Sequence, residues 1–272
     1  DVCSSDLYQQ WITLAHRISN RWWRRFAASW IKLPFTNERS RGSFIRNQKR
    51  AKKNEGAVLA VCCVQDLFHH RAIQQVLEMA RFLGEELYVD SKQPCCGAIF
   101  ERLAQGGGES VVHKRMQAKA EYLQKCTREQ FLKWKPQKTF FLTRGCQAYI
   151  SPWMKSTDQE NDLYDWIDSI LEKKGYRLQL KEPQVVYYQP YCRFFKGGGD
   201  SILRLLHRIE GLTVYDLPNS ESCCGGFCGE SLLHPEKAHS ITSRKIEGLP
   251  IGATVVVSSI DCWGAFKLQA LS

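Results

Sequence analysis

The 272-residue chain has three methionines and none at position 1. Its apolar runs, such as residues 57–64, are strand length, far short of the roughly 20 residues that a membrane-spanning helix needs. A spanning helix is therefore excluded. Also missing is a charged stretch leading into an apolar core and a small-residue cleavage site, so export is not expected and the chain reads as cytoplasmic. Neither Gly-x-Gly-x-x-Gly nor Gly-x4-Gly-Lys-Ser/Thr occurs, which removes the two common nucleotide cradles; the glycine runs at 106–108 and 197–199 read as loops. What the chain does have is cysteine. Twelve residues are too few for a disulfide-dense miniature scaffold and too many for an ordinary cytosolic enzyme, so their arrangement has to decide.

Negative charge is scarce at one end. Residues 1–56 hold 12 Lys/Arg and 4 Asp/Glu, so +8 of the formal +10 sits there and the other 216 residues carry +2. A nearly neutral body gives no footprint for nucleic acid, and no nucleic-acid partner is expected. Within the arm, Trp22, Trp23, Phe26, Trp30, Leu33 and Phe35 recur at spacings near three and four among Arg21, Arg24, Arg25 and Lys32, which predicts an amphipathic basic helix. Such a helix suits peripheral contact with the inner face of a membrane; packing of its aromatic face on another domain or subunit is the preferred alternative. Residues 37–56 read as a solvated basic linker. The opening DVCSSDL resembles a translated sequencing adapter, so Cys3 is set aside and the natural protein is expected to extend upstream.

From residue 57 onward the cysteines write a tandem repeat. The first unit, 57–184, has Cys63, then Cys95-Cys96-Gly97, then Cys146; the second, 185–272, has Cys192, then Cys223-Cys224-Gly225, then Cys262. Three of the equivalent positions keep an offset of 128 or 129 residues and the last keeps 116. Hydrophobic patterning puts each cysteine at the end of a strand: 57–61 before Cys63, 86–89 before the first pair, 138–143 before Cys146, then 185–189, 212–217 and 253–258 before their counterparts. Helical periodicity covers 68–83, 111–134, 201–209 and 235–245. The predicted fold class is α/β: two pseudo-symmetric units, each with a small parallel sheet flanked by helices, preceded by the helical arm. In open sheets of this kind ligands gather beyond the carboxyl ends of the strands, where all eight repeated cysteines fall.

Thiolate clusters select soft metals: zinc, copper(I) or iron–sulfur clusters. Structural zinc sites take two sulfurs from Cys-x2–4-Cys knuckles, whereas adjacent cysteines diverge and suit a larger object with several iron atoms. Iron–sulfur is favoured, with a zinc-stabilised interaction module as the alternative. A bridge within a vicinal pair would strain the peptide, so disulfides are disfavoured. Cys62, Cys126 and Cys228 have no partner at the repeat offset and are not expected to be ligands. Asp66, His69, His70 and Asp261, close to motif cysteines, are expected to support them or face solvent rather than to catalyse.

The doubled Cys, Cys-Cys-Gly, Cys pattern over about 57–267 resembles the cysteine-rich CCG domain that occurs twice in heterodisulfide reductase and in the glycolate oxidase iron–sulfur subunit. Cys63-Val64-Gln65 and Gly145-Cys146 look most like the glycolate-oxidase branch. The resemblance implies that Cys63, Cys95, Cys96 and Cys146 hold one iron–sulfur cluster, of four-iron type, and Cys192, Cys223, Cys224 and Cys262 another. It implies an electron-transfer subunit that serves a flavin-bearing dehydrogenase acting on a small hydroxy acid such as glycolate or lactate, and no catalytic residue of its own. The heterodisulfide-reductase branch closes each set with Cys-x-x-Cys; Tyr149 and Ala265 stand at those places here, which leaves its thiol–disulfide chemistry as the alternative. Relatives in the glycolate-oxidase branch also carry an upstream ferredoxin-like module with Cys-x2-Cys-x2-Cys-x3-Cys-Pro runs. The chain has no such run.

Overall fold

Short apolar runs ending in polar or cysteine residues build the framework. A computed structural model of the protein describes residues 56–90, 93–105, 111–154, 162–192, 200–226 and 235–269. The Trp-rich arm and its linker, Cys3, Cys228 and both glycine runs lie outside the described residues. By packing, the chain divides into one unit ending at Arg81 and resuming over Glu86–Thr139, and a second made of Phe82–Glu85 and Phe140–Ser272.

In the first unit, β1 (Ala57–Ala60) leads into α1 (Cys63–Phe68) and α2 (His70–Phe82). The periodicity predicts one helix from 68; the observed pair begins earlier, because Cys62 adopts an extended conformation at the N-cap and His69 breaks the run with φ −150° and ψ 43°. Cys63 is thus the first residue of a helix. Next come β2 (Leu87–Tyr88), α3 (Ala98–Gln105), the 24-residue α4 (Val111–Trp134) and β3 (Lys138–Phe141). The sheet order is β2–β1–β3, with β1 and β2 parallel. Phe100 of α3 and Ala120 and Leu123 of α4 form a buried cluster, with Cys95, Ile99 and Met116 packed on it.

The second unit continues with α5 (Arg144–Met154), α6 (Leu163–Lys173), β4 (Leu178–Gln189), α7 (Ser201–His207), β5 (Ile209–Asp216), α8 (Pro235–Ile246), β6 (Thr254–Val257) and α9 (Ile260–Gln269). Its sheet runs β5–β4–β6, all parallel. The expected parallel sheets with flanking helices are therefore present. β4 is 12 residues long rather than five, since its exposed, polar first half pairs through the backbone and shows no apolar pattern; the register shifts between Gln179 and Gln184. Its inner end is the core: Val186 and Tyr188 are buried, and the Tyr188 phenol donates to Asp200 Oδ2 at 2.7 Å while Asp200 caps α7. Burial, reinforced by the Asp200 charge, pushes that phenol well above its ordinary pKa.

Arg144, buried at the start of α5, ties three helices together. Its guanidinium lies 2.6 Å from Asp162, which caps α6, and donates to Gln147 Oε1 at 2.9 Å and Ser201 Oγ, on α7, at 2.7 Å. Burial alone would raise the Asp162 carboxyl, but the Arg144 charge and the Asp165 amide hold it below its ordinary value. Removing one partner of a half-buried pair leaves the other desolvated, at a cost between that of exposed and buried pairs. Arg144→Met is expected to lower stability by about 2–3 kcal/mol at neutral pH in urea unfolding. A carboxyl with a depressed folded pKa stabilises above its unfolded value, near 3.9, and loses that contribution as pH falls through the folded value. The wild-type–variant difference should therefore shrink when unfolding is repeated in acid below that range.

Candidate functional site

In the first unit the thiols gather where β1 ends. Cys63 Sγ lies 3.3 Å from Cys95 Sγ, Cys62 shares a hydrogen bond with Cys63, and Cys96 shares one with Cys95. The vicinal pair is bent by Gly97, whose φ of +83° is left-handed; a Cβ there would stand 3.0 Å from the Ala120 carbonyl and 3.3 Å from Leu123 Cβ. The Gly97 amide in turn donates to Cys95 Sγ at 3.5 Å, and Thr127 Oγ1 on α4 donates to the Cys95 carbonyl at 2.9 Å. Gln93 clamps the other side, accepting from the Val61 amide at 3.0 Å and donating back to the Val61 carbonyl. Hydrogen bonds to Cys62 and Cys95, with burial, push the Cys63 thiol up; Cys95, accepting from Cys63, Cys96 and Gly97, is pulled down.

The second unit repeats this. Cys192 follows β4 and shares a hydrogen bond with Cys223; Cys223 shares one with Cys224; Cys224 Sγ lies 2.9 Å from Cys262 Sγ in the first turn of α9. The four thiols predicted for the second set therefore form one continuous chain of contacts. Cys223 is exposed, whereas Cys224 and Cys262 are buried. Gly225, at φ +84°, faces the Ala238 carbonyl at 3.0 Å and Ile241 Cβ at 3.4 Å, the same surroundings as Gly97. Gly226 is pressed against the Asp261 carbonyl so closely that any Cβ would collide with it. The Gly225 amide donates to Cys223 Sγ at 3.3 Å and the Gly226 amide to Cys224 Sγ at 3.4 Å. Thr242 Oγ1 on α8 donates to the Cys224 carbonyl at 2.8 Å. Gln189, buried at the end of β4, donates to the Pro190 and Ser220 carbonyls at 2.9 and 2.8 Å and accepts from Lys245 Nζ at 2.8 Å. Hydrogen bonding to neighbouring sulfurs, followed by burial, pushes the Cys192 and Cys224 thiols up.

Cys146 is the third residue of α5 and belongs by packing to the second unit, while Cys63, Cys95 and Cys96 belong to the first. Cys126 lies along α4. Asp66 and Asp261 each sit in the first turn of a helix that carries a motif cysteine, Asp261 with Ser259 Oγ at 3.3 Å; His69 ends α1 and His70 opens α2. Among the described residues, no three Cys, His, Asp or Glu side chains are arranged to hold a single metal ion. Five participants were not legible in the cysteine repeat: Cys62, Thr127, Thr242, Gly226 and Lys245. The Gln-Pro dipeptides at 93–94 and 189–190 were the available signal for the two glutamine clamps.

All donors in both sets are sulfur, and peptide N–H groups point at three of those sulfurs. Such donors fit an iron–sulfur cluster, whose bridging charge those amides would help to balance, better than an oxygen-loving ion. Residues 186–267, spanning all four cysteines of the second set, match the CCG cysteine-rich domain family. The chain is also similar to lactate utilization protein A of Anoxybacillus flavithermus, 25% identical over 170 residues that cover 61% of this chain and 71% of that protein. Lactate utilization protein A 1 of Bacillus anthracis is 23% identical over 174 residues, 61% of this chain and 70% of its own length. Matched domain and glycine turn together identify residues 186–267 as similar to a CCG cysteine-rich domain, whose motif and turn recur around Cys95-Cys96-Gly97.

Proposed function

We propose that the protein is an iron–sulfur electron-transfer subunit that accepts electrons from a flavin-bearing dehydrogenase acting on a small hydroxy acid such as lactate or glycolate. The observation that carries this is the unbroken chain of thiols from Cys192 through Cys223 and Cys224 to Cys262, backed by two peptide amides. In the first set Cys63, Cys95 and Cys96 take the same role. When bound, each cluster, of four-iron type, supplies a one-electron carrier. The chain's own residues contribute ligands, hydrogen bonds to sulfur and partial exclusion of water, while the flavin and the substrate pocket belong to the partner. The names of the relatives in Anoxybacillus and Bacillus point to lactate among the hydroxy acids.

No helix among the described residues is long and apolar enough to cross a membrane. A cytoplasmic protein, with the basic arm as its peripheral membrane contact or as the connector to a ferredoxin-like module, fits this reading. A bare thiol–disulfide enzyme fits less well. Its nucleophile must ionise near neutrality, and Cys63, Cys192 and Cys224 are shifted the other way; among the described thiols Cys95, held down by hydrogen bonds from Cys63, Cys96 and Gly97, is the one that would serve it.

Anaerobic purification with iron, sulfide and zinc analysis tests the proposal. The expected result is a brown protein with matched iron and sulfide that bleaches with dithionite; a colourless zinc protein would overturn it. Cys96→Ser should lose iron from the first set alone and Cys126→Ser should lose none, so equal losses would sink the ligand assignment. Gly226→Val, which drives a side chain into the Asp261 carbonyl, should cost the second set its iron without altering a single sulfur. Full iron in that variant would show that the loop tolerates separation from α9.

A further inference from the structure

Two cations are buried among the described residues, and only one has a carboxylate. Arg144 has Asp162; Lys245, on α8 and 1% exposed, donates to Gln189 Oε1 at 2.8 Å and to the Asn219 carbonyl at 2.5 Å, both neutral. An ammonium removed from water without a counter-charge costs several kcal/mol, so the question is what balances it. The answer is sulfur. Lys245's two partners, Gln189 and Asn219, lie just before Cys192 and Cys223; burial lowers the lysine's pKa from its ordinary value, and the groups that oppose that shift are Cys224, Cys223, Cys262 and Cys192, the whole predicted second set.

Among the described residues of the first unit no Lys or Arg is buried. Gly97 and Gly225 occupy the same turn, and the helix residues they meet are Ala120 and Leu123 in one unit and Ala238 and Ile241 in the other. That common contact aligns α4 with α8 at an offset of 118 residues and puts Thr127 where Lys245 stands. Thr127 is fully buried as well, but it is neutral and its hydroxyl is used on the Cys95 carbonyl. One helix position therefore holds a fixed cation behind one thiol set and a hydroxyl behind the other.

We propose that Lys245 is the electrostatic residue that sets the reduction potential of the second centre above that of the first, an inference that rests on the iron–sulfur proposal. Reduction adds one electron from an external reductant and makes a centre one charge more negative, with no bond made or broken. A buried positive charge stabilises the reduced form more than the oxidised form, and the low local dielectric amplifies the difference. A hydroxyl already committed to a carbonyl does not do this.

A mediated redox titration of the iron-loaded full chain, followed by visible absorption and electron paramagnetic resonance, tests the assignment. Two midpoints are expected, the higher one surviving in Cys96→Ser and disappearing in Cys224→Ser. Lys245→Met and Lys245→Gln should lower that higher midpoint by at least tenfold in the reduction equilibrium, about 59 mV for one electron, and leave the other in place. Lys245→Arg should retain it. If the lower midpoint survives in Cys96→Ser, or if iron-loaded neutral variants keep the wild-type value, the role of Lys245 is overturned while the iron–sulfur proposal stands. The Cys96→Ser comparison decides the matter even where the Lys245 variants fail to fold. A wild-type protein that takes up no iron on anaerobic reconstitution overturns both.

Discussion

Each thiol set hangs on one left-handed peptide pressed against a helix. At Gly97 and Gly225 the chain turns at φ +83° and +84°, a conformation that costs an ordinary L-residue roughly 1–2 kcal/mol, and a Cβ there would crowd the Ala120 or Ala238 carbonyl at 3.0 Å. Conformation and contact thus demand glycine independently. The turn also brings its own amide back onto the first sulfur of the pair, so the peptide that reverses the chain is the one that supports the ligand. Everything else in the site is fixed relative to this turn: the helix by its carbonyl, the pair by its amide, and the preceding loop by a glutamine.

The two glutamines solve a problem that the sheets create. Where β1 and β4 end, backbone groups leave the ladder in a partly buried place, and an unpaired buried amide or carbonyl costs about 1–3 kcal/mol. Gln93 reaches from the loop of the first pair and gives Val61 both a donor and an acceptor, as a neighbouring strand would. Gln189 reaches the opposite way, from the strand end to the Ser220 carbonyl in the loop of the second pair. In both units a primary amide, which offers donor and acceptor together, fastens the cysteine after the strand to the vicinal pair. Thr127 and Thr242 complete the fastening from the helix side.

The repeat, the α/β class and the parallel strands were readable because cysteine spacing and short apolar runs are one-dimensional signals. Strand starts followed the apolar pattern closely, as at Ala57 and Thr254, whereas the exposed first half of β4 and the break at His69 had no such pattern to follow. Site details that depend on a second helix were hidden. Lys245 lies in a run, Ser240 to Lys245, that looks like an ordinary solvated helix face, and only the packing of α8 on the Gly225 turn turns that lysine inward. Cys62 was hidden for a different reason, since its neighbour Cys63 satisfied the repeat and left it without a role; the extended N-cap brings its thiol to Cys63 all the same.

Adjacent cysteines, rather than cysteines separated by two residues, make sense once burial is considered. The two sulfurs of each vicinal pair share a hydrogen bond and yet differ in exposure. Cys96 is buried and Cys95 half-buried; Cys224 is buried and Cys223 exposed. In the second unit the inner sulfur meets Cys262 on a core helix and the outer one meets Cys192 on a surface turn. A centre held this way has a rigid inner wall and a thin outer one. For an electron carrier that combination is useful, because the protected side limits rearrangement while the exposed side shortens the path to a partner.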